Sequence, residues 1–552
     1  MSHLIKRFGI AGLGTLSFLS STVSLSLITA QAQGQIMATH HLRPGVASGQ
    51  TPFVRELPPT VSLNLNIALP LRNEPELDAL LQQLYDPQSP FFHQFLTVQQ
   101  FTERFGPTVE DYNEVIRFAQ RNGLTVTATF PNRLVLNVSG SVANIEQAFG
   151  VVMAEYQHPT EARTFYSPDR EPAANLAVPL WHITGLDNFS IPHPMSVQRH
   201  DAQVQGNTTG SGPGGYFIGS DMRAAYYGGS SLTGSGQSLG LLEFAGYNMA
   251  DVTNYFSKVS QPLTVAVKGV STDGSSLSCT GSCDDTEQVL DIEAAISMAP
   301  GMTSVLVYVS DTSDVSIFNR MATDNTAKQL SCSWGWSPAD PTSDDPIFKE
   351  FAAQGQNLFV ASGDSGAYRN RSRYVYPADD QYVTSVGGTD LTTNGAGGSW
   401  KSETAWSDSG GGVSPNRIPI PSYQKAAGVI TSANRGSTTY RNSPDVAAEA
   451  NTDNYICYDG TCAGGWGGTS FAAPRWAGYL ALVNQQSVAN GKGSLGFINP
   501  AIYTIGLGSS YGADFHDILS GSNGTYSTVK GFDLVTGWGS PNGTALINAL
   551  AP

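Results

Sequence analysis

The segment Gly467-Gly468-Thr469-Ser470-Phe471-Ala472-Ala473-Pro474 opens an apolar run that continues through Trp476 to Val483. A turn of small residues delivers Ser470 to the first turn of a buried helix. There the uncommitted backbone N–H groups and the positive end of the helix dipole favour developing negative charge. The setting suits a nucleophile, and it suits a glycine-rich turn before a core helix equally well. A serine nucleophile normally works with a histidine base. Of nine histidines, eight (His3, His40, His41, His93, His158, His182, His193 and His200) precede residue 201, in sequence expected to be removed. The ninth, His516, sits among acidic and glycine residues. The base must be of another kind.

Glu287 and Asp291 are the replacement candidates, in Asp284-Asp285-Thr286-Glu287-Gln288-Val289-Leu290-Asp291-Ile292-Glu293-Ala294-Ala295-Ile296. Asp284 or Asp285 can cap this segment, and Val289, Leu290, Ile292 and Ile296 recur at helical spacing. Residues i and i+4 share a face, so the two carboxylates project together. Like charges there destabilise a bare helix, so one carboxyl holds its proton and the pair titrates as a unit. A solvated acidic face is the competing reading. Apolar Val289 and Leu290 between the acids, and the missing histidine, favour the base.

With these residues in place the chain resembles the sedolisins, or serine-carboxyl peptidases, with kumamolisin among the relatives. Glu287-x-x-x-Asp291 is similar to the family's acidic pair and Gly468-Thr469-Ser470 to its nucleophile segment. Ala361-Ser362-Gly363-Asp364-Ser365-Gly366 resembles the segment with the oxyanion-site aspartate, here Asp364, and Ser331-Cys332-Ser333-Trp334-Gly335 a further landmark strand. Gly387-Gly388-Thr389, Glu403-Thr404-Ala405-Trp406, Ser409-Gly410-Gly411-Gly412 and Pro444-Asp445-Val446-Ala447-Ala448 follow in the family's order. The resemblance implies acyl transfer to Ser470. Glu287 would act as general base, Asp291 would orient it and share its proton, and a protonated Asp364 would donate to the oxyanion. Glu243, a charge in the apolar run Leu241-Leu242-Glu243-Phe244, is expected to extend this carboxyl network from behind together with Trp334.

His516-Asp517-Ile518, Gly531-Phe532-Asp533 and Thr536-Gly537-Trp538-Gly539 lie close in sequence near the C-terminus. Two carboxylates with carbonyls in glycine-rich loops suit Ca²⁺, a hard cation taking six or more oxygens. The resemblance implies one structural ion held by the side chains of Asp517 and Asp533 and the carbonyls of Ile518 and Gly531, with Val529 by spacing. Relatives carry glycine at that fifth position, but a carbonyl ligand tolerates valine.

The elements that must position these groups alternate from about residue 216 onward. Strands are expected over Gln237–Ala245, Leu263–Val270, Thr303–Ser310, Gln329–Trp334, Asn357–Gly363 and Val383–Val386. Helices fall between them, including Asp285–Ala299, Ser313–Ala327 and Pro346–Gln354. Buried apolar strands separated by amphipathic helices argue for an α/β, mainly parallel doubly wound sheet, and the resemblance implies the subtilisin-like version. Residues 33–193 have another texture. Helical stretches at Glu74–Leu84, Val109–Arg121 and Val142–Phe149, with strand-like runs at Leu124–Phe130 and Arg133–Val138, suggest a smaller α+β, ferredoxin-like activation prodomain. Ser89 to Thr97 resembles a prodomain motif of the family. Residues 194–215 turn polar and glycine-rich, as an exposed linker that invites cleavage, and residues 216–552 form the peptidase domain.

Composition bounds the rest. Charged residues make up 13% of 552, below the roughly 25% of soluble proteins, and acids outnumber bases 45 to 29 for a formal charge of −16. That argues against nucleic acid as a partner. Residues 1–32 read as an export signal, with Lys6 and Arg7, an apolar centre from Phe8 to Ala30, and Ala30-Gln31-Ala32. No later stretch reads as a membrane span. Of five cysteines, Cys279 with Cys283 and Cys457 with Cys462 suit short-range disulfides, leaving Cys332. The expectation is a secreted, acid-active, self-processed serine endopeptidase, monomeric, with its own prodomain as inhibitor and proteins or peptides as substrates. A tripeptidyl-peptidase of the same family and a non-catalytic binding protein on this fold are the alternatives.

Overall fold

The computed structural model describes residues 35–36, 39–198, 209–280, 283–338, 343–368 and 374–552. The expected export signal at 1–32 lies outside the described residues.

In the N-terminal region an antiparallel sheet forms from Thr125–Thr129, Val135–Ser141, Ser62–Ala68 and His182–Thr184, neighbours in that order. Helices occupy Glu74–Leu84, Val109–Arg121 and Val142–Phe149, where the apolar spacing put them. The hydroxyls of Thr108 and Ser141 cap the second and third, accepting the N–H of Asp111 at 3.0 Å and of Asn144 at 3.3 Å. The Val109–Arg121 and Val142–Phe149 helices turn their apolar stripes to the sheet, and Leu65, Ile67, Val115, Phe118, Leu136, Ile145 and Phe149 make one core, whereas Glu74–Leu84 turns its leucines to the larger region. The connection order is the ferredoxin-like β–α–β–β–α–β.

In the larger region Ala266–Ser271, Ser304–Val309, Ser238–Glu243, Gln329–Cys332, Asn357–Ala361 and Thr384–Thr393 run parallel in that spatial order. The last strand also pairs with Val446–Glu449 in parallel and with Trp400–Ala405 antiparallel. Alternation sends Val305, Val307 and Val309 into one core and Leu306 and Tyr308 into another. Helices Thr286–Met298 and Thr469–Ala489 cover the first face, and Asp314–Asp324 and Asp345–Ala353 the second. Both faces are therefore buried, which is why the strands read as continuous apolar runs.

From Ser238–Glu243 the chain passes to the edge strand Ala266–Ser271, returns to Ser304–Val309 between them, and then crosses to Gln329–Cys332 on the other side. Connections therefore diverge at the carboxyl ends of that strand and of Gln329–Cys332, and a crevice opens there. The smaller region docks on the second face. Leu77, Leu81 and Phe101 join its core, and Leu96 donates its N–H to the Ala353 carbonyl at 2.9 Å. The Tyr85 hydroxyl donates to the Ala352 carbonyl at 2.6 Å and accepts the Phe497 N–H at 2.9 Å. Both expected disulfides form, Cys279–Cys283 and Cys457–Cys462, and Cys332 is a buried free thiol.

The Thr286–Met298 helix differs from its sequence reading in one respect. An apolar stripe predicts one solvated face, but all thirteen residues are buried. Glu287, Asp291 and Glu293 are thus enclosed, and no solvated acidic face exists.

Candidate active site

Ser470 lies in the first turn of the Thr469–Ala489 helix and is fully buried. Gly468 caps that helix at φ +126, a region that L side chains rarely adopt. A Cβ there would stand 2.3 Å from the Met195 carbonyl oxygen and 2.7 Å from Asp364 Oδ2. The bare glycine therefore leaves space in which a peptide carbonyl and the Asp364 carboxyl converge above the serine. Pro474 has no N–H to donate to the Ser470 carbonyl one turn back. That carbonyl instead accepts the Ser333 hydroxyl at 3.3 Å.

Four carboxyls line the crevice. Glu287 is 4% exposed and Asp291 fully buried. Burial, then the Asp291 charge, pushes the Glu287 carboxyl well above the carboxylate range, while the hydroxyls of Ser196 and Ser470 pull it down. Those two hydroxyls face Glu287, but no hydrogen bond of normal geometry closes on either of its oxygens. The Ser470 hydroxyl donates to the Ser333 carbonyl at 3.3 Å. Asp291 accepts the Ser333 hydroxyl at 2.7 Å. Burial and the neighbouring Glu243 charge raise Asp291 well above its ordinary value. Glu243, at the carboxyl end of its strand, accepts the Trp334 indole N–H at 3.0 Å and is raised chiefly by burial. Three carboxyls in mutual reach in a dry site cannot all ionise, so Glu243, Asp291 and Glu287 share protons.

Asp364 follows the strand Asn357–Ala361. Its Oδ1 accepts the Thr469 N–H at 2.8 Å and the Thr469 hydroxyl at 2.9 Å. Its buried Oδ2 has no partner, and burial pushes the carboxyl up to about 7. Asp364 therefore offers a proton on the oxygen that faces the carbonyl space. His516 stacks on Trp400 with ring centroids 3.9 Å apart, and burial lowers it to about 4.

The linker departs from its sequence reading. Pro194 is exposed, but the described residues that follow it, Met195–Gln198, enter the crevice, and Met195 is 4% exposed. Glycine-rich polar composition signals a loop, but nothing in it reports that backbone groups will be claimed by strand edges on either side. Ser333, Thr469 and Met195 were not singled out by the sequence. The Ser-x-Ser pattern at the end of a buried strand was the available signal for Ser333.

Near the C-terminus, Asp517 accepts the Tyr511 hydroxyl at 2.9 Å and the Gly531 N–H at 3.3 Å. Asp533 accepts the N–H groups of Val529 at 3.2 Å, Val535 at 2.9 Å and Thr536 at 2.8 Å. The Val529–Gly531 turn thus spans from one carboxylate to the other. Among the described residues no group of three or more His, Cys, Asp or Glu side chains is placed to hold a metal. A cation here would rely on two carboxylates and the carbonyls of Ile518, Val529 and Gly531. That all-oxygen set, with Asp533 buried, fits a hard divalent ion.

Comparison with known proteins adds the following. Residues 50–189 match the family Pro-kumamolisin, activation domain, and residues 298–494 match the Subtilase family. Kumamolisin of Bacillus sp. is 32% identical, across 92% of this chain and 96% of that protein. Tripeptidyl-peptidase 1 of Rattus norvegicus is 28% identical, across 89% of this chain and 92% of its own. The solved structure of Pseudomonas sedolisin, a serine-carboxyl proteinase complexed with pseudo-iodotyrostatin, is similar at a TM-score of 0.53 and 27% identity. It covers 62% of this chain and 98% of that one.

Proposed function

The chain belongs to the sedolisin family of serine-carboxyl peptidases and is a serine-type peptidase carrying an activation domain. We propose that it is a secreted, acid-active endopeptidase, with Ser470 as nucleophile, Glu287 as general base, Asp291 as its orienting and proton-sharing partner, and Asp364 as oxyanion donor. One observation carries this reading: a peptide carbonyl, that of Met195, accepts the Ser470 N–H at 3.0 Å, with the carboxyl of Asp364 beside it and Glu287 facing the Ser470 hydroxyl.

Glu287 takes the Ser470 proton as the hydroxyl attacks, then returns it to the leaving amine. Glu243 and Asp291, steadied by Trp334 and Ser333, set how much negative charge Glu287 carries. The oxyanion is met by the Ser470 N–H and the protonated Asp364. Raising the pH through about 7 strips that proton, so activity belongs to acid. Proteolysis of a denatured protein at about pH 4 and at about pH 7 tests this, with Ser470→Ala as control. Activity rising towards neutrality would reject the carboxyl mechanism.

Endopeptidase action is favoured over release of tripeptides because the chain in the crevice continues on both sides. His193–Pro194 pair with Trp334–Gly335 and lead back uninterrupted into Pro192 and Ile191. Peptide mapping of digests separates the two activities. The region 33–193 serves as intramolecular inhibitor by holding this segment in place. Its docking includes Lys349, which meets Glu74 at 2.7 Å and Asp78 at 3.0 Å across the boundary. Acid that neutralises those carboxylates would loosen it. One Ca²⁺ at Asp517, Asp533 and the carbonyls of Ile518, Val529 and Gly531 would stabilise the fold, a role tested by chelation. Export rests on the N-terminal sequence pattern. Among the described residues no helix is long and apolar enough to cross a membrane.

A further inference from the structure

The segment crossing the crevice is held as a substrate would be, and it has a register. His193 and Pro194 pair antiparallel with Gly335 and Trp334 on one side, and Val197 and Gln198 pair antiparallel with Gly467 and Trp466 on the other. Two strand edges fix the chain before and after a single turn-like residue pair, Met195-Ser196. Within that pair Met195 donates its N–H to the Ser333 carbonyl at 2.9 Å, and its carbonyl accepts the Ser470 N–H at 3.0 Å. No other linker carbonyl among the described residues receives that N–H. A one-residue slip would break both short ladders and turn each side chain to the opposite face.

The Met195 side chain fills a slot lined by Ser362, Gly363, Tyr374, Val375 and Gly410, with about 20 Å³ left over. That remainder is about one water's worth. Gly335 forms the near wall, where a Cβ would meet the Met195 methyl at 2.4 Å, and Gly363 the far one, where a Cβ would stand 4.0 Å from its sulfur. The slot is narrow, with glycines at its near and far walls and Asp364 at its edge, a shape for one side chain of about methionine's volume. His193, two residues upstream, stacks on Tyr374 with centroids 3.7 Å apart and adds a second anchor. Downstream, Ser196 sits where a leaving amine would stand, with its hydroxyl facing Glu287.

We propose that Met195–Ser196 is the peptide bond at which this chain first severs its own prodomain, chosen because Met195 fills the slot beside Ser470. The inference rests on the reading of Ser470 as nucleophile. The Ser470 oxygen bonds to the Met195 carbonyl carbon and its proton passes to Glu287. The carbon–nitrogen bond to Ser196 breaks, and the nitrogen takes that proton and leaves as a new N-terminal amine. Water then adds to the Met195 ester, one of its protons returning to the Ser470 oxygen through Glu287 and Met195 leaving as a free carboxylic acid.

The test uses the full-length precursor, acidified to about pH 4 and sampled early for intact mass. The expected first products end at Met195 and begin at Ser196, and their masses sum to the precursor plus one water. Met195→Leu should cut at the same bond at a similar rate. Met195→Ala, which empties the slot, should slow that cut on the order of a hundredfold. A first pair of products joined at any other bond, or an unchanged rate in Met195→Ala, overturns the proposal. Ser470→Ala separates the two levels: if that precursor is still cut at Met195–Ser196, the nucleophile reading fails. If it stays whole while the active precursor is cut elsewhere, only the choice of bond fails.

Discussion

In the region from Thr39 to Gln198, burial lowers four histidines, His41, His93, His158 and His193. In the region from Thr209 onward, burial lowers one histidine, His516, and chiefly raises carboxyls, among them Glu243, Glu287, Asp291, Glu350, Asp364 and Glu449. The two kinds of group respond to acid with opposite sign. His41 is pushed to about 2 from 6.5, by burial first and then by its stacked neighbour His182, with His40 and Arg43 adding to it. Glu171 stands 3.6 Å from its Nδ1 without reversing the shift. Below pH 6.5 the unfolded chain binds a proton that the folded one refuses, so stability is lost as pH falls through that window. Between pH 6.5 and about 4 the loss from His41 alone is about 3 kcal/mol. Asp364 runs the other way. Its folded value of about 7 exceeds the ordinary 3.8, so its contribution is full below 3.8 and disappears as pH rises through about 7. One acidification thus weakens the inhibitor's fold while it relieves the buried carboxyls of the peptidase.

The sharpest division between the regions is in turnover. Glu287→Gln in the peptidase should lower kcat/KM at least about ten-thousandfold with the fold intact, and combining it with Ser470→Ala should add little. His41→Gln should leave the turnover of the matured enzyme as it was. Full activity in Glu287→Gln would erase the distinction. Next comes Asp364. Asp364→Ala should cost about a hundred- to a thousandfold in kcat. Asp364→Asn can keep the bond from Thr469 and place an amide donor at the carbonyl space. It should lose less, and its rate should no longer fall as pH passes about 7. A pH limb unchanged in Asp364→Asn would assign it to another group.

Smaller effects should appear on the inhibitor side. Glutamine at position 41 can accept the Ile183 N–H that His41 Nε2 accepts at 3.0 Å, without a proton to refuse. The midpoint pH of processing should therefore drop by about one unit in His41→Gln. Lys349→Met, which removes ion pairs exposed on their acidic side, should raise that midpoint slightly, consistent with at most about 1 kcal/mol for such pairs. Smallest of all, chelation in metal-free buffer should lower the Tm of the mature domain by a few degrees. Asp517→Ala should abolish that sensitivity. A Tm indifferent to chelator would leave Asp517 and Asp533 as an acidic loop.

Much of this arrangement was legible in the residues. The three expected prodomain helices have the predicted bounds, and most parallel strands differ by a few residues, because buried strands and capped amphipathic helices declare themselves through periodicity. The short Val98–Arg104 helix and the extension of the last parallel strand to Thr393 were not legible. The i, i+4 pair of Glu287 and Asp291 does share a face, and the structure brings Ser470, Asp364, Glu243 and Trp334 to the same crevice. The roles of Ser333 and Thr469 were not legible, since small hydroxyls carry no periodic signal and depend on strands meeting across the sheet. Nor was the path of Met195, which is held by backbone hydrogen bonds that any sequence can make. The full enclosure of Thr286–Met298 is not legible in the sequence, because Glu287, Asp291 and Glu293 are buried beside carboxyls of other elements, Asp364, Glu243 and Asp251, rather than against water.

Hydrogen exchange of the full-length Ser470→Ala precursor, followed from about pH 7 to about pH 4, tests the opposed response most directly. After correction for intrinsic exchange, amides of Ser62–Ala68 and Val135–Ser141 should lose protection. Those of Ser304–Val309 and Gln329–Cys332 should keep or gain it. Loss of protection in both sheets together, or in the parallel sheet first, would contradict the account.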